Sequence, residues 1–324
     1  MQDIDPKNGE VFTDEDSAIK DPRSYDASTY TVWSSRVGKV EENGRTYHAY
    51  KDGKYMLPND ETEMNRLDIQ HKMWCITLDD KLYLAPLNKS THRVLDLATG
   101  TGIWAVEFAK AYPSAEVLGT DLSLVEPLCV PPNCRFEVDD VEDDWTFPFQ
   151  FDYIHGRCLA SCFKDGPSVV DKAYNALAPG GYFELQDFQL HQADNITQGT
   201  ALHKWLDCMH QAAAKAGRPW KDKTKNYKKW LLERGFDNVK EETFRWPSNQ
   251  IWPDSEKEKT LGNWWQLQID YSVLEAGSTR LFTTYLGWSV EELAAFMALL
   301  KKDFRDPNMH IYAPIHVVYG RKPS

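Results

Sequence analysis

Four carboxylates, one histidine and one arginine stand at or just past the ends of apolar runs in this chain, and their spacing fits a single site. Asp96 lies near the end of the run 93–97, immediately before the turn Ala98-Thr99-Gly100-Thr101-Gly102. A second apolar run ends on Asp121, with Leu122 beside it. A third leads into Asp139-Asp140-Val141, and a fourth carries His155 and Arg157. Arg66 and His71 come earlier, on a segment with helical spacing.

An acidic residue about 20 positions past a glycine turn is placed to accept the two hydroxyls of a ribose, which gives Asp121 that role. The turn and the helix N-terminus after it would ordinarily receive phosphate, because free N–H groups and the helix dipole favour an anion. A fixed negative charge at Asp96 would repel pyrophosphate and attract an ammonium. S-adenosylmethionine offers an ammonium, a ribose and no phosphate, so it is the cofactor expected against Asp96, Ala98, Gly100, Gly102, Asp121 and Leu122. No Lys-Ser/Thr pair follows the glycines, which excludes a P-loop.

In Asp139-Asp140-Val141 a carboxylate can accept from the exocyclic amine of adenine while the next N–H donates to the ring nitrogen. Asp140 is the better placed of the pair. The competing reading is solvated acidic surface, since Glu142, Asp143 and Asp144 continue the run. His155 and Arg157 sit beside the expected transfer point. A neutral imidazole there could take the acceptor's proton without repelling a sulfonium, so His155 is the catalytic candidate as well as a cofactor contact. A histidine bonded into the loop scaffold is the alternative. Arg66 and His71 are candidates for approaching the cofactor carboxylate.

The elements that must position these groups alternate between strand and helix, the pattern of a parallel sheet with ligands at the carboxyl ends of its strands. A helix capped near Asn59-Asp60-Glu61 precedes the first strand and should lie beside the site mouth. Strands are expected at 135–138, 151–155 and 181–188, with a helix at about 167–177. Helices at about 197–216 and 223–234 follow, then a strand at 239–246, a helix at 289–304 and a last strand at 310–319. Eight of the twelve tryptophans lie after residue 200. Each taken alone is ordinary packing. Together, in a helical insertion at the catalytic end of a sheet, they suggest a lid over an apolar or aromatic acceptor.

The domain organisation expected is a flexible tail at 1–30 and one domain at 31–324. Within it lie an N-terminal cap segment (31–90), a cofactor-binding core (91–190), a helical substrate cap with the sixth strand (191–308) and the last strand (309–324). The net charge of −12 and absence of a basic block argue against a nucleic-acid partner. Neither a signal-peptide pattern nor an apolar run of ~18 residues is present, so an intracellular chain is expected, cytoplasmic with the nucleus open, and no membrane partner. Among Cys75, Cys129, Cys134, Cys158, Cys162 and Cys208 no two pairs share zinc spacing, so reduced thiols and no metal are expected.

Several stretches are similar to the class I S-adenosylmethionine-dependent methyltransferases, and more narrowly to the fungal LaeA-like group of secondary metabolism. They are Asn59-Asp60-Glu61 with Glu63, Arg66 and His71; LDLATGTGIWAVEFA; GTDLS with VPPNCRFEVDDVEDDW; FDYIHGR; ALAPGGYFELQDF; and PIHVVYGRKP. The resemblance implies an α/β fold, a Rossmann-like seven-stranded mostly parallel sheet whose last strand is antiparallel, with a helical N-terminal segment and helical lid insertions. Two departures are Leu124, where the group commonly has proline, and Ala98, where the general pattern has glycine. Alanine disfavours positive φ, so the turn is expected to keep an ordinary backbone there.

The function expected is an O- or N-methyltransferase acting on a small apolar or aromatic metabolite, with S-adenosylhomocysteine as product and a monomer or homodimer as the assembly. Two alternatives stand beside it: a regulator acting through protein partners, and a cyclase that keeps the cofactor but transfers no methyl.

Overall fold

The computed structural model describes residues 38–125, 127–193 and 198–324. The tail expected at 1–30 lies outside the described residues. The described chain opens with an antiparallel hairpin, β1 (Lys39–Glu42) and β2 (Arg45–His48). Asn43 and Gly44 join the strands at φ +50° and +72°, the left-handed pair that a tight two-residue hairpin turn requires and that Asn-Gly adopts at least cost.

The expected N-terminal helix is α1 (Glu61–Thr77). Its N-cap, Asp60, accepts from Glu63 N at 3.0 Å, and the same carboxylate binds Arg45 of β2 through Nε and Nη2 at 2.5 and 2.9 Å. One side chain both starts the helix and ties the hairpin to it.

Strands and helices then alternate as β3 (Arg93–Leu97), α2 (Ile103–Ala111), β4 (Glu116–Asp121), β5 (Cys134–Val138), β6 (Phe151–Arg157), α3 (Gly166–Ala176) and β7 (Leu177–Phe188). After a short β8 (Gln192–Ala193) come α4 (Ala201–Lys215), α5 (Lys223–Arg234), β9 (Asp237–Pro247), α6 (Glu256–Asp270), α7 (Val273–Arg280), α8 (Val290–Arg305) and β10 (Ile311–Arg321). The helix expected from about 197 is described from Ala201; residue 197 itself is outside the described residues.

The sheet runs β5-β4-β3-β6-β7-β10, and β9 closes the far edge. Pairing is parallel from β5 to β7, while β10 enters antiparallel between β7 and β9. This is the seven-stranded arrangement expected, with β8 added against Ile311 and Tyr312 of β10. The pleat of β3 sends Val94 to the face covered by Trp104 and Phe108 of α2, and Leu95 to the face covered by Val170 of α3 and Leu231 of α5.

The stretch expected as a substrate cap divides. Helix α5 covers the sheet: Tyr227 and Leu231 pack with Leu177 and Phe183, and the Tyr227 hydroxyl donates to Asp187 at 2.7 Å. The cap proper is α4, α6, α7 and α8, packed on α1 and β9 around buried tryptophans. Trp246 meets the edge of Trp74 at 4.9 Å between centroids, and its Nε1 donates to Thr77 Oγ1 at 2.7 Å.

Asp60→Ala removes both the cap and the hairpin ion pair, and loss of the cap alone is worth about 1–2 kcal/mol. Thermal unfolding should show a lowered midpoint for Asp60→Ala and an intermediate one for Asp60→Asn, which keeps a capping oxygen without the full charge. Equal midpoints for Asp60→Asn and Asp60→Ala would assign the whole effect to the ion pair.

Candidate active site

The turn after β3 is held from below by a buried carboxylate. Asp96 is 2% exposed; its Oδ1 accepts from His155 Nδ1 at 2.7 Å, and its Oδ2 accepts from Thr99 Oγ1. Asp96 and His155 are register partners on adjacent parallel strands, so both side chains leave the sheet on the α2 face. There the His155 ring stacks on Trp104, 3.7 Å between centroids and 5° from parallel. Burial holds the imidazole's pKa below its usual value.

Two expectations are corrected by this node. Asp96 lies behind the turn and is not part of the wall of the larger cavity, where the sequence had placed it against an ammonium. His155 is fully buried and off the cavity wall, so it orients the turn and has no path to an acceptor's proton. The cause is the strand period of two: the alternation that buries Val94 and Tyr153 under α2 carries Asp96 and His155 with them.

Ala98 is a third correction, because its φ is +48° and not that of an ordinary turn backbone. Tertiary hydrogen bonds impose the conformation: Thr99 N donates to Thr120 O at 2.9 Å, and Gly100 N donates to Asp121 Oδ2 at 2.9 Å. Gly100 and Gly102 follow at φ +62° and +76°. Gly102 caps α2, and a Cβ on it would lie 2.7 Å from Phe136 Cζ. Its backbone serves packing, whereas Ala98, Gly100, Thr101 and Ile103 border the cavity.

That cavity, of about 670 Å³, lies over the carboxyl ends of β3, β4 and β5 and under the segment 38–68. Asp121, Leu122, Asp139, Asp140, Val141 and Arg157 all border it. Asp121 Oδ1 also accepts from Ser123 N at 2.9 Å, and burial raises its pKa.

The two aspartates after β5 exchange places relative to expectation. Asp140 Oδ1 accepts from Glu142 N at 2.9 Å. Its Oδ2 is taken by Lys51 Nζ at 2.8 Å and by Lys54 Nζ, so little of it is left for an adenine amine. Asp139 spends one oxygen on Asp140 N at 2.8 Å, and burial raises its pKa. The lysines come from the loop after β2, which the sequence reading left unassigned. Its visible signal was the Asn43-Gly44 hairpin turn.

Arg157, on the wall of the larger cavity, is held by three neighbours. Its Nε donates to Gln186 Oε1 at 3.0 Å, its Nη1 donates to His71 Nδ1 at 3.0 Å, and its guanidinium lies 5.3 Å over the Trp74 ring. Because Nδ1 accepts, the His71 proton is on Nε2, which donates to Glu107 Oε2 at 3.0 Å. Burial first, and the Arg157 charge second, push the His71 pKa down to about 4. Cys75 Sγ is 3.4 Å from the same Nε2, but that nitrogen's proton is already committed to Glu107. Arg66 borders the smaller cavity and not the larger one, and its guanidinium is bound by Glu63 at 2.7 and 2.9 Å and by Gln268 at 3.0 Å.

A second cavity of about 120 Å³ lies between β7 and the cap, walled by Phe188, His191, Trp205, Met209, Trp220 and Trp265 among others. Tyr55, Leu57, Leu67 and Cys158 border both cavities. His191 was not anticipated. The one available signal was its place three residues past the C-terminal end of β7, where this fold puts ligands.

A family model described as a methyltransferase domain matches residues 69–241. The chain belongs to the S-adenosylmethionine-dependent methyltransferase family. It is 35% identical to the methyltransferase pytC of Aspergillus terreus over 91% of this chain and 92% of that protein. It is equally 35% identical to the protein-methionine methyltransferase laeA of Emericella nidulans, over 91% of this chain and 79% of that one. Among solved structures, phosphoethanolamine N-methyltransferase 2 of Haemonchus contortus aligns with a TM-score of 0.48 and 13% identity, over 92% of this chain and 74% of that one.

Two measurements check the geometry. A left-handed alanine costs about 1–2 kcal/mol, and glycine's extra chain entropy returns about 0.5–1 kcal/mol of that. Ala98→Gly should therefore leave the unfolding midpoint unchanged or raise it, while Ala98→Val lowers it. His71 is neutral when folded and takes up a proton when unfolded at pH values between 6.5 and 4. Stability relative to His71→Gln should accordingly fall by roughly 2–3 kcal/mol as pH drops through that window. A pH-independent difference would contradict the buried neutral assignment.

Proposed function

We propose that this methyltransferase carries S-adenosylmethionine in the larger cavity and methylates a small apolar acceptor held in the smaller one. The observation that carries this reading is the shared wall of Tyr55, Leu57, Leu67 and Cys158, where the contents of the two cavities would meet. The larger cavity is bordered by Glu63, Asp68, Asp121, Asp139 and Asp140 against Lys39, Lys110 and Arg157. That balance disfavours a pyrophosphate and suits a cationic nucleoside, a preference first ascribed to Asp96 alone.

In this reading Asp121 accepts from the ribose hydroxyls, and Asp139 accepts from the adenine amine with Leu122 and Val141 against the ring. Arg157 faces the cofactor carboxylate. Ala98, Gly100 and their hydrogen bonds set the shape of the turn, and Asp96 with His155 holds that turn. The bound cofactor supplies a methyl group on a sulfonium, already activated for transfer. The protein's share is to align the acceptor and exclude water, which the hairpin, α1 and the helical cap accomplish together.

The chain's acidity argues against a nucleic-acid partner, and among the described residues no helix is long and apolar enough to cross a membrane. A methionine side chain of a protein is the second acceptor to consider, because one relative is named for that activity.

Calorimetry should find S-adenosylhomocysteine binding in the wild type, weakened at least about tenfold by Asp121→Ala, which leaves ribose hydroxyls unpaired. Undiminished affinity in Asp121→Ala would remove the ribose assignment. Incubation with labelled cofactor and a metabolite extract should add one methyl to a small molecule. Label found only in protein would favour the methionine acceptor, and an isomerised metabolite without label would favour a cyclase.

A further inference from the structure

The smaller cavity is walled by aromatic and aliphatic side chains together with polar ones; Arg66 and Asp187 are already hydrogen-bonded within the protein, and three other residues carry buried polar atoms without a partner. His191 is 4% exposed, and neither its Nδ1 nor its Nε2 has a hydrogen-bond partner. Thr224 Oγ1, on a side chain 2% exposed, and Trp265 Nε1, on a side chain 1% exposed, are likewise without partners. All three residues wall the same cavity. Buried side-chain polar atoms are nearly always paired, and each one left bare costs about 1–3 kcal/mol. Four such atoms border this one cavity, where the polar group of a guest can pair them.

The surroundings define that ligand. The His191 ring is enclosed by aromatic rings, with centroids of Trp265, Phe304 and Trp205 at 4.7, 4.8 and 5.9 Å. Burial alone, with no neighbouring charge, brings its pKa down to about 3, so the imidazole is neutral and presents one donor and one acceptor. A hydroxyl, which also donates once and accepts, complements that edge. Thr224 can do either, and Trp265 can only donate. A thioether or an alkyl group would leave these atoms bare, and a carboxylate would bring an uncompensated charge among the aromatic rings. The volume of about 120 Å³ sets the size: an apolar cavity of about 150 Å³ holds a benzene-sized guest.

We propose that His191, Thr224 and Trp265 form a hydroxyl-recognition site, and that the acceptor enters the cap as a single-ring, phenol-like group with its oxygen at His191. This rests on the methyltransferase reading only for the word acceptor; the binding site itself can be tested without the reaction.

The probes are 4-fluorophenol and 4-fluorotoluene, similar in size and distinguished by the hydroxyl, with dissociation constants read from ¹⁹F NMR titrations of the full chain. Wild type should prefer the phenol by about tenfold, the worth of one net hydrogen bond. His191→Phe should erase or invert that preference, and His191→Gln, which keeps a donor and an acceptor, should retain part of it. Thr224→Val supplies an independent reduction if His191→Phe does not fold. Equal affinities for the two probes in wild type, or a preference that survives both His191→Phe and Thr224→Val, overturns the proposal. S-adenosylhomocysteine binding measured on the same samples separates the two ideas: its absence from wild type sinks the methyltransferase reading, while the phenol preference is judged on its own.

Discussion

The site depends on a buried carboxylate that lies off the wall of the larger cavity. Asp96 accepts from His155 on the next strand and from Thr99 in the turn, and the His155 ring is clamped by Trp104 of α2. A single anion therefore joins β3, β6, the turn and the helix that the turn leads into. A buried carboxylate is tolerated only when its oxygens are hydrogen-bonded. Satisfying it forces the turn into the shape that offers Ala98 and Gly100 to the cavity. The strain at Ala98 is a consequence of that geometry, since the bonds on either side of it leave the backbone no other path.

The cover over the cofactor cavity follows a different principle. Lys51 and Lys54 bind Asp140, Glu142 and Asp143 from above, while Arg280 of α7 holds Glu42 of β1 and Asp52 at 2.9 and 2.6 Å. The hairpin and the loop after it are thus tied by ion pairs to the core on one side and to α7 on the other, in addition to the buried Tyr47 and His48 of β2. Part-exposed ion pairs contribute modestly to stability and are screened by salt. The acidic run that reads as solvated surface in the sequence is the fixed half of this latch.

The two cavities contrast in how they treat polar groups. Around the larger one most of the acidic side chains, and Arg157, already have protein partners, as with Asp140 and its lysines, or Arg157 with Gln186 and His71. Ligand binding there adds to a network that is complete enough to stand without it. The smaller cavity mixes bonded polar groups, Arg66 and Asp187 among them, with the unpaired atoms of His191, Thr224 and Trp265, which only a guest can satisfy.

The strand-to-helix alternation, the order of carboxylates along the chain and the cap of α1 were legible because each depends on neighbours within a few residues. Periodicity placed Asp121, Asp139 and Arg157 at strand ends, and all three border the cavity. Sequence could not say which way a side chain faces, because Asp96 and Asp121 look alike as strand-end carboxylates while the register with β6 buries one and leaves the other on the wall. Nor could it pair Lys51 with Asp140, or gather His191, Thr224 and Trp265, since those contacts join segments far apart in the chain. Local order determined the fold class and the kind of ligand to expect. Tertiary packing alone decided which groups remain free to meet it, because freedom is what is left after every other buried partner has been satisfied.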